Sequence, residues 1–200
     1  MKNIKKGIIG ISVGMGLSAL ATSGALAADA HMVTGSIAAQ PIGHAEFCRS
    51  FPAECKVRSA RTKAPHLSRK RWGELVAINN SVNEAVTPVT DRQHYDREEF
   101  WTFPGQFGDC EDYVLLKRHL LMKAGWPASS LLITVVRQSN GDGHAVLTVR
   151  TDRADYILDN LDPMIREWRD TPYRYVSRQS ERHSGRWAKV RDRRRSARLF

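Results

Sequence analysis

Long apolar stretches are missing from all but the first residues of this 200-residue chain, and cysteine is scarce, with three in all. Beyond residue 27 no run approaches the ~18 apolar residues that a membrane-spanning helix needs, so no stable membrane insertion is expected of that part. Glycine (14) and proline (8) are too few for a collagen-like, mucin-like or low-complexity chain. No internal repeat is visible, and His31, His44, His66, His94, His119 and His183 form no metal-ligand spacing, so no zinc site is expected. What is present is 42% hydrophobic and 26% charged, the composition of a globular protein. A chain of this length can bury roughly 70% of its unfolded surface in one domain.

The formal net charge of +10 would ordinarily raise nucleic acid as a partner. The amino terminus argues against that. Lys2, Lys5 and Lys6 precede an apolar stretch from Gly7 to Leu20, and Ala25-Leu26-Ala27 fits the small-x-small rule of signal-peptide cleavage. Residues 1–27 therefore read as a cleaved signal peptide, and the mature protein as periplasmic or secreted, with no nucleic-acid partner. Three lysines leave with the signal. The remaining charge is uneven: residues 72–165 hold eight bases and fourteen acids, whereas 56–71 hold seven bases and no acid, and 166–200 hold twelve bases and four acids. Such basic flanks are usually solvated faces.

Cys48 and Cys55 have six residues between them, including the turn-favouring Pro52, so a short disulfide is the natural pairing in an oxidising compartment. Cys110 is then the odd thiol, either reactive or buried as a small hydrophobe. Residues 28–47 lack periodicity and read as an extended entry segment. Apolar residues at Trp72, Leu75, Val76, Ile78, Val82 and Val86 have helical spacing from Ser68 to Val86. Residues 87–108 read as a loop. A second helix should start near Asp109 and end at Gly125 and Pro127. Leu131–Gln138, a turn at residues 140–143 and His144–Arg150 read as a hairpin, followed by strands Tyr156–Asp159, Tyr173–Arg178 and Arg186–Val190. Two helices followed by an antiparallel meander make an α+β domain over residues 28–190, with a basic, mobile tail at 191–200.

Cys110 falls at the predicted start of the second helix, where free N–H groups and the helix dipole favour a thiolate. His144 opens a strand and Asp159 closes its neighbour, so a thiol, an imidazole and a carboxylate can converge. Gly108-Asp109-Cys110-Glu111-Asp112-Tyr113, Gly143-His144-Ala145-Val146-Leu147 and Leu158-Asp159-Asn160, in that order, resemble the bacterial transglutaminase-like cysteine proteinases. The resemblance spans roughly residues 40–190, including Trp101, Pro104 and the segment Tyr173–Ser180. It implies a papain/transglutaminase-like fold with the nucleophile helix packed on an antiparallel sheet. It also implies Cys110 as nucleophile, His144 as general base and acid, and Asp159 as its orienting partner.

In the best-understood branch of that family a periplasmic, calcium-dependent protease releases large surface adhesins. The resemblance therefore implies a protein substrate of that kind and calcium at Asp109, Glu111 and Asp112. Carboxylate oxygens suit such a hard cation, which would offset the repulsion three acids exert on a thiolate. Acids at a helix start also act simply as caps. The segment Pro104–Gly108 departs from that branch, being short and without an acid, and matches the small stand-alone exported members more closely. Trp101 could line a cleft or only pack, and Trp168, Tyr173, Tyr175 and Trp187 read as a cover for the sheet. The function expected is an exported cysteine peptidase; acyl transfer with the same residues, or a non-catalytic envelope binding module, is the alternative.

Overall fold

In the computed structural model, which describes residues 30–56, 63–192 and 194, helix formation follows the local signals closely at the two long helices. Going along the chain, the elements are β1 (Thr34–Ala38), α1 (Ile42–Ser50), α2 (Pro52–Cys55), α3 (Arg69–Ala85), β2 (Thr87–Pro88), α4 (Asp91–Tyr95), β3 (Phe107–Gly108) and α5 (Cys110–Lys123). Six strands follow: β4 (Leu131–Arg137), β5 (Gly143–Arg150), β6 (Asp155–Leu158), β7 (Arg166–Glu167), β8 (Arg174–Ser180) and β9 (His183–Val190). The Ser68 side chain caps α3 by accepting the Arg71 N–H. At the other end of α5, Gly125 takes φ +89°. Its N–H reaches Met122 O and the Trp126 N–H reaches Leu121 O, both at 3.0 Å, so two last-turn carbonyls are satisfied.

Seven strands form one sheet in the order β1-β9-β8-β4-β5-β6-β7, with every pairing antiparallel. Alternation along β5 divides its side chains between two faces. Ala145, Leu147 and Val149 join Phe47, Leu75, Val114, Leu121, Leu131 and Ile133 in the main core beneath the helices. Val146 joins Met32, Val136, Ile157, Trp168, Tyr173 and Tyr175 on the opposite face. The expected α+β architecture, with the Cys110 helix against an antiparallel sheet, is thus what the chain adopts.

Three stretches depart from expectation. Residues 28–47 are not simply extended: they contain β1 and the start of α1. The helix buries Gly43, His44 and Phe47 while Ile42 is 72% exposed, so Ile42 misleads as a marker of the buried face. Residues 87–108 are not a plain loop. The parallel pair β2–β3 joins their two ends, and α4 begins with a reciprocal capping box between Thr90 and Gln93. Trp187 packs in the main core against His44 and Trp101, whereas Trp168, Tyr173 and Tyr175 do cover the other sheet face. Cys48 and Cys55 form the expected disulfide, with Cα atoms 5.5 Å apart. The expected signal peptide, residues 1–27, and residues 195–200 of the expected tail lie outside the described residues. Of the predicted tail, Arg194 is held against Trp168 and Tyr175, and its guanidinium reaches the Trp168, Thr171 and Tyr173 carbonyls. Among the described residues no helix is long and apolar enough to cross a membrane.

Candidate active site

Cys110 is the first residue of α5 and partly exposed, with Asp109 as N-cap and Glu111 and Asp112 in the first turn. Its thiol donates to Glu111 Oε2 at 3.0 Å, and the Ala145 N–H acts on the sulfur from β5. Burial pushes the thiol well above its ordinary pKa, and the Glu111 charge, the bond to Glu111 and Asp109 push the same way. The Ala145 N–H opposes them. At this helix start burial and the carboxylates oppose the dipole, which favours a thiolate.

Those carboxylates are themselves perturbed. Burial is the largest cause of the upward shifts at Asp91, Asp109 and Glu111, with repulsion from Asp91 acting on Asp109 and from Asp109 on Glu111. Asp112 is pushed up to about 8 by burial, although the Thr102 N–H donates to its Oδ1 at 2.9 Å. Asp91, Asp109 and Glu111 bring one oxygen each within 4.8 Å of one another. Asp112 is not in that group. The sequence-expected ligand set is therefore brought together only in part, and its third converging acid is Asp91. Pairing of β2 with β3 makes this possible: Val89 N–H bonds Gly108 O at 3.0 Å, and Asp91 N–H bonds Asp109 Oδ2 at 3.2 Å. Gly108 is required there, since a Cβ would stand 2.9 Å from Asp112 Oδ2 and 3.0 Å from Pro104 Cβ.

His144 sits on β5 next to Ala145, and its Nε2–H donates to Asp159 Oδ1 at 2.8 Å, both side chains being buried. Asp159 is the residue just past β6 rather than its last one. Its Oδ1 also accepts the Leu161 N–H at 3.0 Å, and its Oδ2 accepts the Tyr173 hydroxyl at 2.5 Å. Burial alone would raise Asp159, but His144, Tyr173 and Leu161 outweigh it and hold the carboxyl below its usual range. Among the described residues no hydrogen bond joins Cys110 to His144. The two are related through Ala145, whose N–H serves the sulfur while the preceding residue carries the imidazole.

The sequence profile of the bacterial transglutaminase-like cysteine proteinases (BTLCP) matches residues 34–195. This chain belongs to that family. No curated protein matches it. Solved structures similar to this chain include three of LapG from Legionella pneumophila. The calcium-bound form aligns with a TM-score of 0.48 and 24% identity over 54% of this chain and 64% of that one. The EGTA-treated form gives 0.47 and 25% over 54% and 62%. The alignment thus spans less than two thirds of those relatives' own length.

Other residues of the chain resolve simply. Trp101 is buried against Gly43 and His44 and donates Nε1–H to Glu99, so it packs rather than facing a cleft. His44 lies against the Cys48–Cys55 disulfide, and His31, His66 and His119 each meet one carboxylate. Asp91 and Tyr173 were not readable as site residues. Asp91 looks like an ordinary helix-start acid, and Tyr173 like one more aromatic on the sheet.

Proposed function

We propose that this proteinase is exported and hydrolyses peptide bonds of a periplasmic or surface protein through Cys110, His144 and Asp159. The observation that supports the reading is the buried His144–Asp159 bond of 2.8 Å, one residue from the amide that faces the Cys110 sulfur. Because Nε2–H is committed to Asp159, the ring's Nδ1 is left to receive the thiol proton. The thiolate then attacks the scissile carbonyl carbon to form a tetrahedral adduct, whose oxyanion can be met by the Cys110 N–H at the helix start. Imidazolium gives its proton to the departing amine, leaving a thioester. Water, deprotonated by the imidazole, attacks that thioester and releases the acid and the free thiol.

The acidic cluster fits a calcium ion. Three carboxylates converge, and the buried Asp109 Oδ1 has no hydrogen-bond partner among the described residues. Asp91, Asp109 and Glu111 would hold it. Bound calcium would supply the positive charge that offsets the carboxylates pushing the thiol up. The remaining work falls to the chain: Ala145 N–H steadies the sulfur, and Asp159 keeps the imidazole turned and charged when protonated. A large surface adhesin is the substrate class that the family resemblance brings forward.

Labelling of the mature protein with iodoacetamide, with calcium and with a chelator, tests the reading without a substrate. Cys110 should label at least tenfold faster than in His144→Ala; equal rates would sink the activated-thiolate mechanism. Incubation with a purified extracellular adhesin fragment, with and without a primary amine, then separates peptide release from acyl transfer to the amine.

A further inference from the structure

We propose that Tyr173 is a positioning residue for the reaction, its hydroxyl locking the Asp159 carboxylate in the orientation that serves His144. This deepens the mechanism above and rests on the His144–Asp159 pair acting as read there. Asp159 lies just beyond β6, where its backbone carbonyl accepts from Asn83 Nδ2 at 2.9 Å. Its orientation is set by donors. Oδ1 takes His144 Nε2–H and Leu161 N–H, while among the described residues Oδ2 takes only the Tyr173 hydroxyl, at 2.5 Å. Without that bond, Oδ2 would be buried with no partner, and rotation of the carboxylate would be opposed by nothing on that side.

Tyr173 reaches this oxygen from a distant part of the sheet. It precedes β8, which lies on the far side of β4 and β5 from β6. Its ring lies 5.5 Å from that of His144, so it contacts both members of the pair. Its own backbone is fixed, because Tyr173 O accepts from Arg194 at 2.5 Å and Arg194 also binds the Trp168 and Thr171 carbonyls. The backbone of the Asp159 turn is tied to α3 by Asn83 and Asn79, which leaves the tyrosine as the strut from an anchored segment to the carboxylate itself. Packing alone would be met by phenylalanine; only the bond to Asp159 uses the oxygen.

The charged and titratable groups that act on this pair are His144 from β5, Lys117 from α5, Asp162 from the turn and Tyr175 from β8. The Tyr173 hydroxyl favours the ionised form of Asp159, so its removal lets Asp159 take up a proton at higher pH. The imidazole then loses its partner sooner as the pH falls.

The test is the pH profile of Cys110 alkylation by iodoacetamide in the full mature chain with calcium, comparing wild type, Tyr173→Phe, Asp159→Asn, the double variant and His144→Ala. In Tyr173→Phe the plateau rate should fall about three- to tenfold, and the acid limb should move up by about half a pH unit. The double variant should be no slower than Asp159→Asn alone, because the hydroxyl acts through that carboxylate. A Tyr173→Phe profile that overlays wild type, or losses that multiply in the double variant, would overturn the proposal while leaving the triad standing. If His144→Ala alkylates as fast as wild type, the underlying triad reading falls and takes this proposal with it.

Discussion

The Cys110 thiol donates its hydrogen to Glu111 Oε2 at 3.0 Å, so among the described residues the sulfur is bonded to a carboxylate next to it in sequence rather than to the imidazole across the site. A thiol held this way is a poor nucleophile, because burial and two neighbouring acids disfavour the thiolate. Calcium should therefore change reactivity at the sulfur itself. With saturating calcium the alkylation rate of Cys110 near neutral pH should exceed that in chelator by about tenfold or more, one pKa unit being worth a factor of ten. Equal rates under the two conditions would separate the acidic cluster from the thiol.

Asp91 and Asp112 make a discriminating pair of substitutions. Each spends one oxygen on a backbone N–H, Asp91 on that of Phe100 and Asp112 on that of Thr102, but only Asp91 brings an oxygen into the cluster with Asp109 and Glu111. Asp91→Asn keeps the shape of the side chain and removes a charge, so it should weaken calcium binding by about tenfold or more, read by calorimetry or by the calcium-dependent rise in Tm. Asp112→Asn should weaken it less. A larger loss in Asp112→Asn would return the third ligand to the position expected from the sequence.

The groups carrying the strongest local signals were legible. Cys110 stands at a helix start after Gly108-Asp109, and His144 follows an Asn-Gly-Asp-Gly turn into an apolar strand, so spacing and resemblance agree. Asp91 carries no such signal. It is joined to Asp109 by the two-residue β2–β3 pairing, a tertiary contact that no window of sequence contains. The same reasoning accounts for β1 and α1, whose Ile37 and Ile42 point to solvent while a histidine fills the core. Tyr173 has the composition of a packing residue, and only its hydroxyl bond distinguishes it.

The short disulfide should matter to stability more than to chemistry. Cys48–Cys55 closes a small loop between α1 and α2, beside His44 and the aromatic core. Loop-closure entropy for so few residues amounts to about 2 kcal/mol. Cys48→Ser/Cys55→Ser, which cannot pair with Cys110, should lower stability in urea by about that amount. The calcium-saturated alkylation rate per folded molecule should stay within about twofold of wild type. A loss of reactivity in protein that remains folded would instead tie this corner to the site.

Lys117 presents the opposite balance of stability and placement. Its side chain is fully buried on α5, its Nζ has no hydrogen-bond partner among the described residues, and it faces the Tyr113 ring at 5.8 Å. Burial brings its pKa down to about 7, against the attraction of Asp159. The folded amine therefore loses its proton near pH 7 while the unfolded one keeps it to about 10.5. Between those values the unfolded state binds more protons, so stability from this group rises with pH and levels off near the upper value; at and below neutral pH it is a burden. Lys117→Met, which fills similar space without charge, should stabilise the protein at pH 6 by about 2–4 kcal/mol and flatten the rise from pH 7 to 10. Urea unfolding at a series of pH values checks both. Destabilisation at pH 6 would mean that the ammonium is well solvated or paired in the folded protein.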